Sequence, residues 1–127
     1  MIKRVVFILI ALPLLGTQLM FSQSARQYFR AGEEFFENMK YRDAIDQYSR
    51  AVEIDPDYDK AYIQRANAYA RLNDYENAAI DYDRAIVFNE KDAELYYLSG
   101  YAHNKQGNNS VALTKLNRAI EMKRNYL

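Results

Sequence analysis

The chain has 127 residues, with 17 basic and 17 acidic side chains, one histidine and no cysteine. This length predicts one domain, and a zero net charge without a basic cluster argues against nucleic-acid binding. Without cysteine there is no disulfide framework, thiolate nucleophile or zinc knuckle, so we expect no metal and no other cofactor.

Residues 1–24 have the layout of a secretory signal peptide. The start "MIKR" is basic, "VVFILIALPLL" is continuously apolar, and "GTQLMFSQSA" turns small and polar. Small residues one and three positions before the cut predict cleavage before Ala25, with cleavage before Gln23 as the alternative. In the other interpretation, residues 5–21 stay in the cytoplasmic membrane as an anchor, because they approach the ~20 residues of a spanning helix. Both interpretations export the rest of the chain, to the periplasm or out of the cell.

The rest of the chain repeats itself with a period of 34 residues. A shift by 34 aligns small and aromatic residues three times without a slip in register. Self-similarity at a fixed period predicts a repeat protein, here with units at 25–58, 59–92 and 93–126. The aligned triplets include Ala44, Ala78 and Ala112; Ala51, Ala85 and Ala119; Gly32, Ala66 and Gly100; Tyr28, Tyr62 and Tyr96; Phe35, Tyr69 and His103; and Tyr48, Tyr82 and Leu116.

Each unit has the pattern of two amphipathic helices. In the second unit, Tyr62, Ala66 and Tyr69 are spaced by three and four residues, which places them on one helical face. The segment "YENAAIDYDRAIVF" shows the same spacing. Asn73 and Gly107 lie between the helices of their units and tolerate a left-handed backbone, so they predict turns.

The period and the positions of the small and aromatic residues resemble the tetratricopeptide repeat (TPR) family over residues 25–126. The resemblance implies an all-α fold: a right-handed α-solenoid of three helix-turn-helix repeats, with six helices, behind an N-terminal signal or anchor helix. Departures from the family pattern at Glu90, His103, Asn109 and Arg124 suggest a looser third unit. In the first unit the pattern is met at Tyr28, Gly32, Phe35, Ala44, Tyr48, Ala51 and Pro56.

Tyr97 and Tyr101 are the two tyrosines that do not fall on repeated positions. The resemblance implies that they lie on the face of the first helix of a unit that lines a concave groove, where a peptide or a partner's helix binds. The alternative is that both rings are half-exposed or are covered by the ends of the chain. The expected partner is a protein or peptide. The predicted groove residues are Phe29, Arg30, Phe36, Ile63, Gln64, Asn67, Arg71, Tyr97, Tyr101 and Asn104.

Two more specific activities are not supported by the residues. Family members that clamp a chaperone's C-terminal carboxylate carry Lys and Asn on the first groove helix, where this chain has Phe29 and Glu33. They carry Lys and Arg on the third, where it has Glu94 and Leu98. His103 takes an aromatic slot of the repeat and is expected to be packed. With no nucleophile-base pair, phosphate loop or metal set, we expect no enzyme.

The resemblance also bears on the C-terminal helix. Family members commonly end in an extra helix that covers the last apolar face, and this sequence stops at "LNRAIEMKRNYL". We therefore expect Leu116, Ile120 and Met122 to be partly covered, and self-association through this helix is a hypothesis. The sequence as a whole predicts a non-enzymatic adaptor exported to the cell envelope, with a membrane-anchored scaffold subunit of a larger complex as the alternative.

Overall fold

The computed structural model describes the backbone of residues 2–125 and the side chains of residues 16–17 and 19–125. Its helices are α1 (Ile2–Glu37), α2 (Tyr41–Ile54), α3 (Asp59–Arg71), α4 (Tyr75–Phe88), α5 (Ala93–Lys105) and α6 (Asn109–Arg124). Each helix packs on the next one along the chain, and α1 also contacts α3. Over residues 2–125, the prediction of an all-α fold with six helices is confirmed.

Helix α1 continues without a break across the predicted boundary between residues 24 and 25. Burial begins at Ala25, which is 1% exposed, whereas Leu19, Met20 and Phe21 are exposed. In the part of the chain whose side chains are described, no helix is both long and apolar enough to cross a membrane. Most of the predicted signal or anchor segment lies outside those side chains, so the signal and the anchor both stay predictions.

Small residues face large ones where the two helices of a pair meet. Gly32 lies against the ring of Tyr48, and a Cβ added there would come within 2.5 Å of Tyr48 Cε1. Gly100 faces Leu116, whose Cγ would lie 2.9 Å from an added Cβ. Glycine at these two positions lets the helices approach closely, while the large side chains fill the space between them.

The turns within the three helix pairs share a left-handed residue at one repeat position. The φ angles are 61° at Met39, 59° at Asn73 and 87° at Gly107, each 34 residues from the next. The predicted turns at Asn73 and Gly107 are confirmed. The sequence did not point to Met39, because a methionine is not a residue that favours this conformation.

A buried ion pair links α2, α3 and α4. Arg65 donates from Nε and Nη2 to the two carboxylate oxygens of Asp81, at 2.7 and 2.8 Å, and from Nη1 to Ser49 Oγ at 3.0 Å. The side chain of Asp81 is 4% exposed. One guanidinium therefore joins three helices.

The contact of α4 with α5 and α6 uses the same repeat positions with different side chains. Asp83, Ser99 and Lys115 lie 34 residues after Ser49, Arg65 and Asp81. Asp83 accepts hydrogen bonds from Ser99 Oγ at 2.5 Å and from Lys115 Nζ at 2.8 Å. Nε2 of His103 lies 2.9 Å from the other oxygen of Asp83. The His103 ring is largely buried, in agreement with its expected packed position, and its Nδ1 has no hydrogen-bond partner among the described residues.

Helix α6 is covered unevenly. Ile120 is exposed and Leu116 is half-buried, as expected, but Met122 is buried, which corrects the expectation that it is only partly covered. Residue 126, the end of the predicted third unit, lies outside the described residues. Self-association through α6 stays a hypothesis.

Candidate functional site

Two cavities adjoin along α1, α3 and α5, and Asn67 lines both. The α3/α5 cavity has a volume of about 400 Å³ and the α1/α3 cavity one of about 360 Å³. We call the surface formed by the two cavities the groove. The α3/α5 cavity is lined by Phe36, Asn67, Ala70, Arg71, Tyr75, Tyr82, Glu94, Leu98, Tyr101 and Ala102. The α1/α3 cavity is lined by Phe29, Glu33, Lys60, Ile63, Gln64 and Asn67.

Seven of the ten predicted groove residues line these cavities, and three do not. Arg30, Tyr97 and Asn104 are exposed, and each lies outside both cavities. Their role stays a prediction. The seven that the structure brings together are Phe29, Phe36, Ile63, Gln64, Asn67, Arg71 and Tyr101.

A chain of hydrogen bonds runs along the floor of the groove. Tyr82 donates to Asn67 Oδ1 at 2.5 Å, and Asn67 Nδ2 donates to Gln64 Oε1 at 2.8 Å. Gln64 Nε2 donates to Glu33 Oε2 at 3.5 Å, and Tyr48 donates to Glu33 Oε1 at 2.5 Å. Two phenols of the packing layer thus fix the orientation of groove side chains that a partner would meet.

Both phenols remain protonated donors over the physiological pH range. Burial raises the pKa of Tyr82 to about 12, with the nearby charge of Arg71 lowering it and that of Glu94 raising it. Burial and the hydrogen bond to Glu33 raise the pKa of Tyr48 further above its usual value. The two phenol donors of the floor network therefore keep their protons near neutral pH.

Rings and cations lie together at the C-terminal ends of α3 and α5. The Arg71 guanidinium lies 5.7 Å from the ring centroid of Phe36 and 5.9 Å from that of Tyr41. Lys105 Nζ lies 5.4 Å from the ring of Tyr101. The rings of Tyr101 and Tyr75 meet edge to face, with centroids 6.0 Å apart. These contacts hold the aromatic wall of the α3/α5 cavity in place.

The sequence did not identify Tyr75, Tyr82 and Glu94 as part of the site. Tyr75 and Tyr82 recur at the offset of 34, which predicted packing, but a tyrosine ring can pack while its hydroxyl reaches a surface. The sequence did hold one indication of this role: the buried position of Tyr48 and Tyr82 is tyrosine, not phenylalanine, in two units. Within residues whose side chains are described, no group of three or more acidic, histidine or cysteine side chains is arranged to hold a metal ion.

Comparison with known proteins gives the same family along most of the chain. The family pattern described as "TPR repeat" matches residues 32–73 and 66–107, and that described as "Tetratricopeptide repeat" matches residues 93–126. Human tetratricopeptide repeat protein 12 is 34% identical over 91 residues, covering 72% of this chain and 13% of that protein. Human RNA polymerase II-associated protein 3 is 32% identical over 98 residues, covering 77% and 14%. The chain thus spans a small part of these curated relatives.

Solved structures show the same fold. The second TPR of Spaghetti (RPAP3), bound to HSP90 peptide SRMEEVD, is 25% identical with a TM-score of 0.76, covering 84% of this chain and 98% of that one. The first TPR of the same protein, bound to the same peptide, is 29% identical with a TM-score of 0.74, covering 82% of each chain. From its repeats, its helices and these relatives, the chain belongs to the tetratricopeptide repeat family.

Proposed function

We propose that this chain is a non-enzymatic adaptor that binds a peptide or helix of another protein in its groove. The observation that carries the proposal is the pair of adjoining cavities, which joins apolar side chains such as Ile63 and Leu98 to the exposed ring of Tyr101. Aromatic side chains supply contact area at low entropic cost, and exposed apolar surface commonly marks an interaction site. The two Spaghetti domains bound to an HSP90 peptide support a peptide-binding role for the family.

The proposed adaptor contains three repeats, at 25–58, 59–92 and 93–126. The positive φ at the three turns supports this division, as do the contacts of Gly32 with Tyr48 in the first unit and of Gly100 with Leu116 in the third. The looser third unit also belongs to the proposal, because Leu116 replaces the tyrosine of the first two units there.

The binding proposal is tested by site-specific photo-crosslinking in cells that express the protein. A crosslinking side chain at position 101 is expected to capture one dominant partner, whereas the same side chain at Arg84, which lines neither cavity, is expected not to. With the crosslinking side chain placed at Ile63 in the α1/α3 cavity, replacing Tyr97 and Tyr101 together by Ala is expected to abolish capture with helicity unchanged. Equal capture from positions 101 and 84 would reject the groove as the binding surface.

We further propose that the repeats act outside the cytoplasm, after export by the N-terminal segment. The basic start and apolar run of that segment support this location. The intact mass of the native protein from fractionated cells tests it. A start at Gln23 or Ala25 in a soluble envelope fraction supports the free adaptor, and a full-length mass in the membrane fraction supports the anchored scaffold. A full-length mass in the cytosol would reject both.

A further inference from the structure

The Arg71 guanidinium is ordered by its neighbours within the protein. It stacks against the rings of Phe36 and Tyr41, and Nη1 donates to the Tyr41 hydroxyl at 3.3 Å. A free arginine side chain has many rotamers, and part of that freedom is lost on binding a ligand. Because the rings already restrict this side chain, a ligand that binds it loses less entropy.

Among the side chains that the structure describes, none places a counter-charge in contact with Arg71. Over residues 19–125, no carboxylate oxygen lies within 4.0 Å of this guanidinium. Glu94 lines the same cavity without forming an ion pair with it. Arg65 presents Nε and Nη2 to the carboxylate of Asp81, whereas the same atoms of Arg71 have no hydrogen-bond partner in that part of the chain.

A carboxylate is the group that fits this site. The planar guanidinium fork matches two carboxylate oxygens, and such charge-assisted pairs are among the stronger hydrogen bonds of proteins. Tyr75 and Tyr101, which line the same cavity, carry hydroxyl groups that can donate to an anion. We propose that Arg71 anchors an Asp or Glu side chain of a peptide partner in the α3/α5 cavity. The inference rests on the proposed function and specifies the chemistry of the occupant.

A purely structural role of Arg71 predicts different behaviour, and the chain offers a matched control. Arg84 also stacks on a tyrosine, with its guanidinium 5.6 Å from the ring of Tyr62, but it lines neither cavity. If Arg71 only held the rings of Phe36 and Tyr41 in place, its substitution would weaken binding of acidic and non-acidic peptides alike. An anion anchor instead makes only the affinity for an acidic peptide depend on Arg71.

The test measures fluorescence anisotropy with two labelled peptides, each with a C-terminal amide. One is SRMEEVD, which offers three acidic side chains, and the other is its amide analogue SRMQQVN, which keeps the arginine but has no acidic side chain. We expect the acidic peptide to bind about tenfold or more tightly at low salt, as for a hydrogen-bonded charge pair. Arg71→Gln is expected to remove this preference, Arg71→Lys to keep part of it, and Arg84→Gln to leave it unchanged. Glu94→Gln is expected to strengthen binding of the acidic peptide, because it removes a like charge from the cavity.

Binding at Arg71 also has a direct readout. The Nε–Hε signal of Arg71 in a ¹H–¹⁵N NMR spectrum is expected to shift on titration with the acidic peptide and not with the amide analogue. Equal affinity for the two peptides, no binding of the acidic peptide at about 1 mM, or a preference that survives Arg71→Gln would overturn the inference. If position 101 still crosslinks a partner in cells, these results reject the acidic anchor and leave the proposed adaptor function standing.

Discussion

Replacing Asp81 by Asn tests whether the buried ion pair with Arg65 holds α2, α3 and α4 together. Asn keeps the size of the side chain but removes its charge, which leaves a guanidinium whose side chain is 17% exposed without a counter-charge. Burial lowers the pKa of Arg65, but the hydrogen bonds and charge of Asp81 outweigh that effect and raise it, so Arg65 stays charged in the folded protein.

The expected loss is large. Removing one partner of a buried pair costs about 3–5 kcal/mol in the free energy of unfolding, against a total of about 5–15 kcal/mol for a domain. At about 4–8 °C per kcal/mol, the melting temperature should fall by at least about 12 °C. The exposed pair of Arg118 and Glu121, 3.5 Å apart, is the matched control, and Glu121→Gln should cost no more than about 1 kcal/mol.

Urea unfolding followed by circular dichroism at 222 nm measures both variants. The double variant Arg65→Met with Asp81→Leu separates charge from packing, because it removes both charges and keeps apolar volume. We expect it to be more stable than Asp81→Asn alone. A cost of Asp81→Asn below about 1 kcal/mol, or a double variant less stable than the single one, would refute the reasoning that an unpaired buried charge causes the loss.

Three further predictions concern the left-handed turn residues Met39 and Gly107, the carboxylate of Asp83 and the hydroxyl of Tyr82 in the groove floor. Met39→Gly should raise the free energy of unfolding by about 0.5–1 kcal/mol, because glycine adopts positive φ without strain. Gly107→Ala should lower the free energy of unfolding for the same reason. A lower urea midpoint for Met39→Gly, or a higher one for Gly107→Ala, would contradict this. Burial alone would raise the pKa of Asp83, but hydrogen bonds from Lys115, Ser99 and His103 lower it in the folded protein. The ionised Asp83 therefore stabilises the fold above the unfolded pKa of about 3.9, and this stabilisation is lost as pH falls through the lower folded pKa. Asp83→Asn should therefore flatten the loss of stability below about pH 4, and unchanged slopes in urea titrations at each pH would contradict this. Tyr82→Phe should cost about 1 kcal/mol and weaken partner capture from position 101, whereas unchanged capture would show that the Asn67 orientation does not matter.

The period of 34 predicted the helices well because helix spacing is a local property of the sequence. The predicted helical face of Tyr62, Ala66 and Tyr69 lies on α3 (Asp59–Arg71), and the predicted helical segment "YENAAIDYDRAIVF" is α4 (Tyr75–Phe88). The ion pairs of Arg65 with Asp81 and of Lys115 with Asp83 were not predictable in the same way, because the members of each pair come from different helices. Exposure was equally hard to predict: the place of Tyr97 along the helix gives its side of α5 but not its distance from either cavity.

The groove floor shows how the packing layer sets the chemistry of the binding surface. In the first two units, Tyr48 and Tyr82 reach through the helix pair, and the groove position above each is an acceptor, Glu33 or Asn67. In the third unit the packing residue is Leu116, which has no hydroxyl to donate, and the equivalent groove position is Tyr101. A polar acceptor at position 101 would have no hydroxyl beneath it to donate a hydrogen bond. The ring of Tyr101 packs on Tyr75 instead. The polar and aromatic halves of the groove thus follow from which residue lies beneath each position.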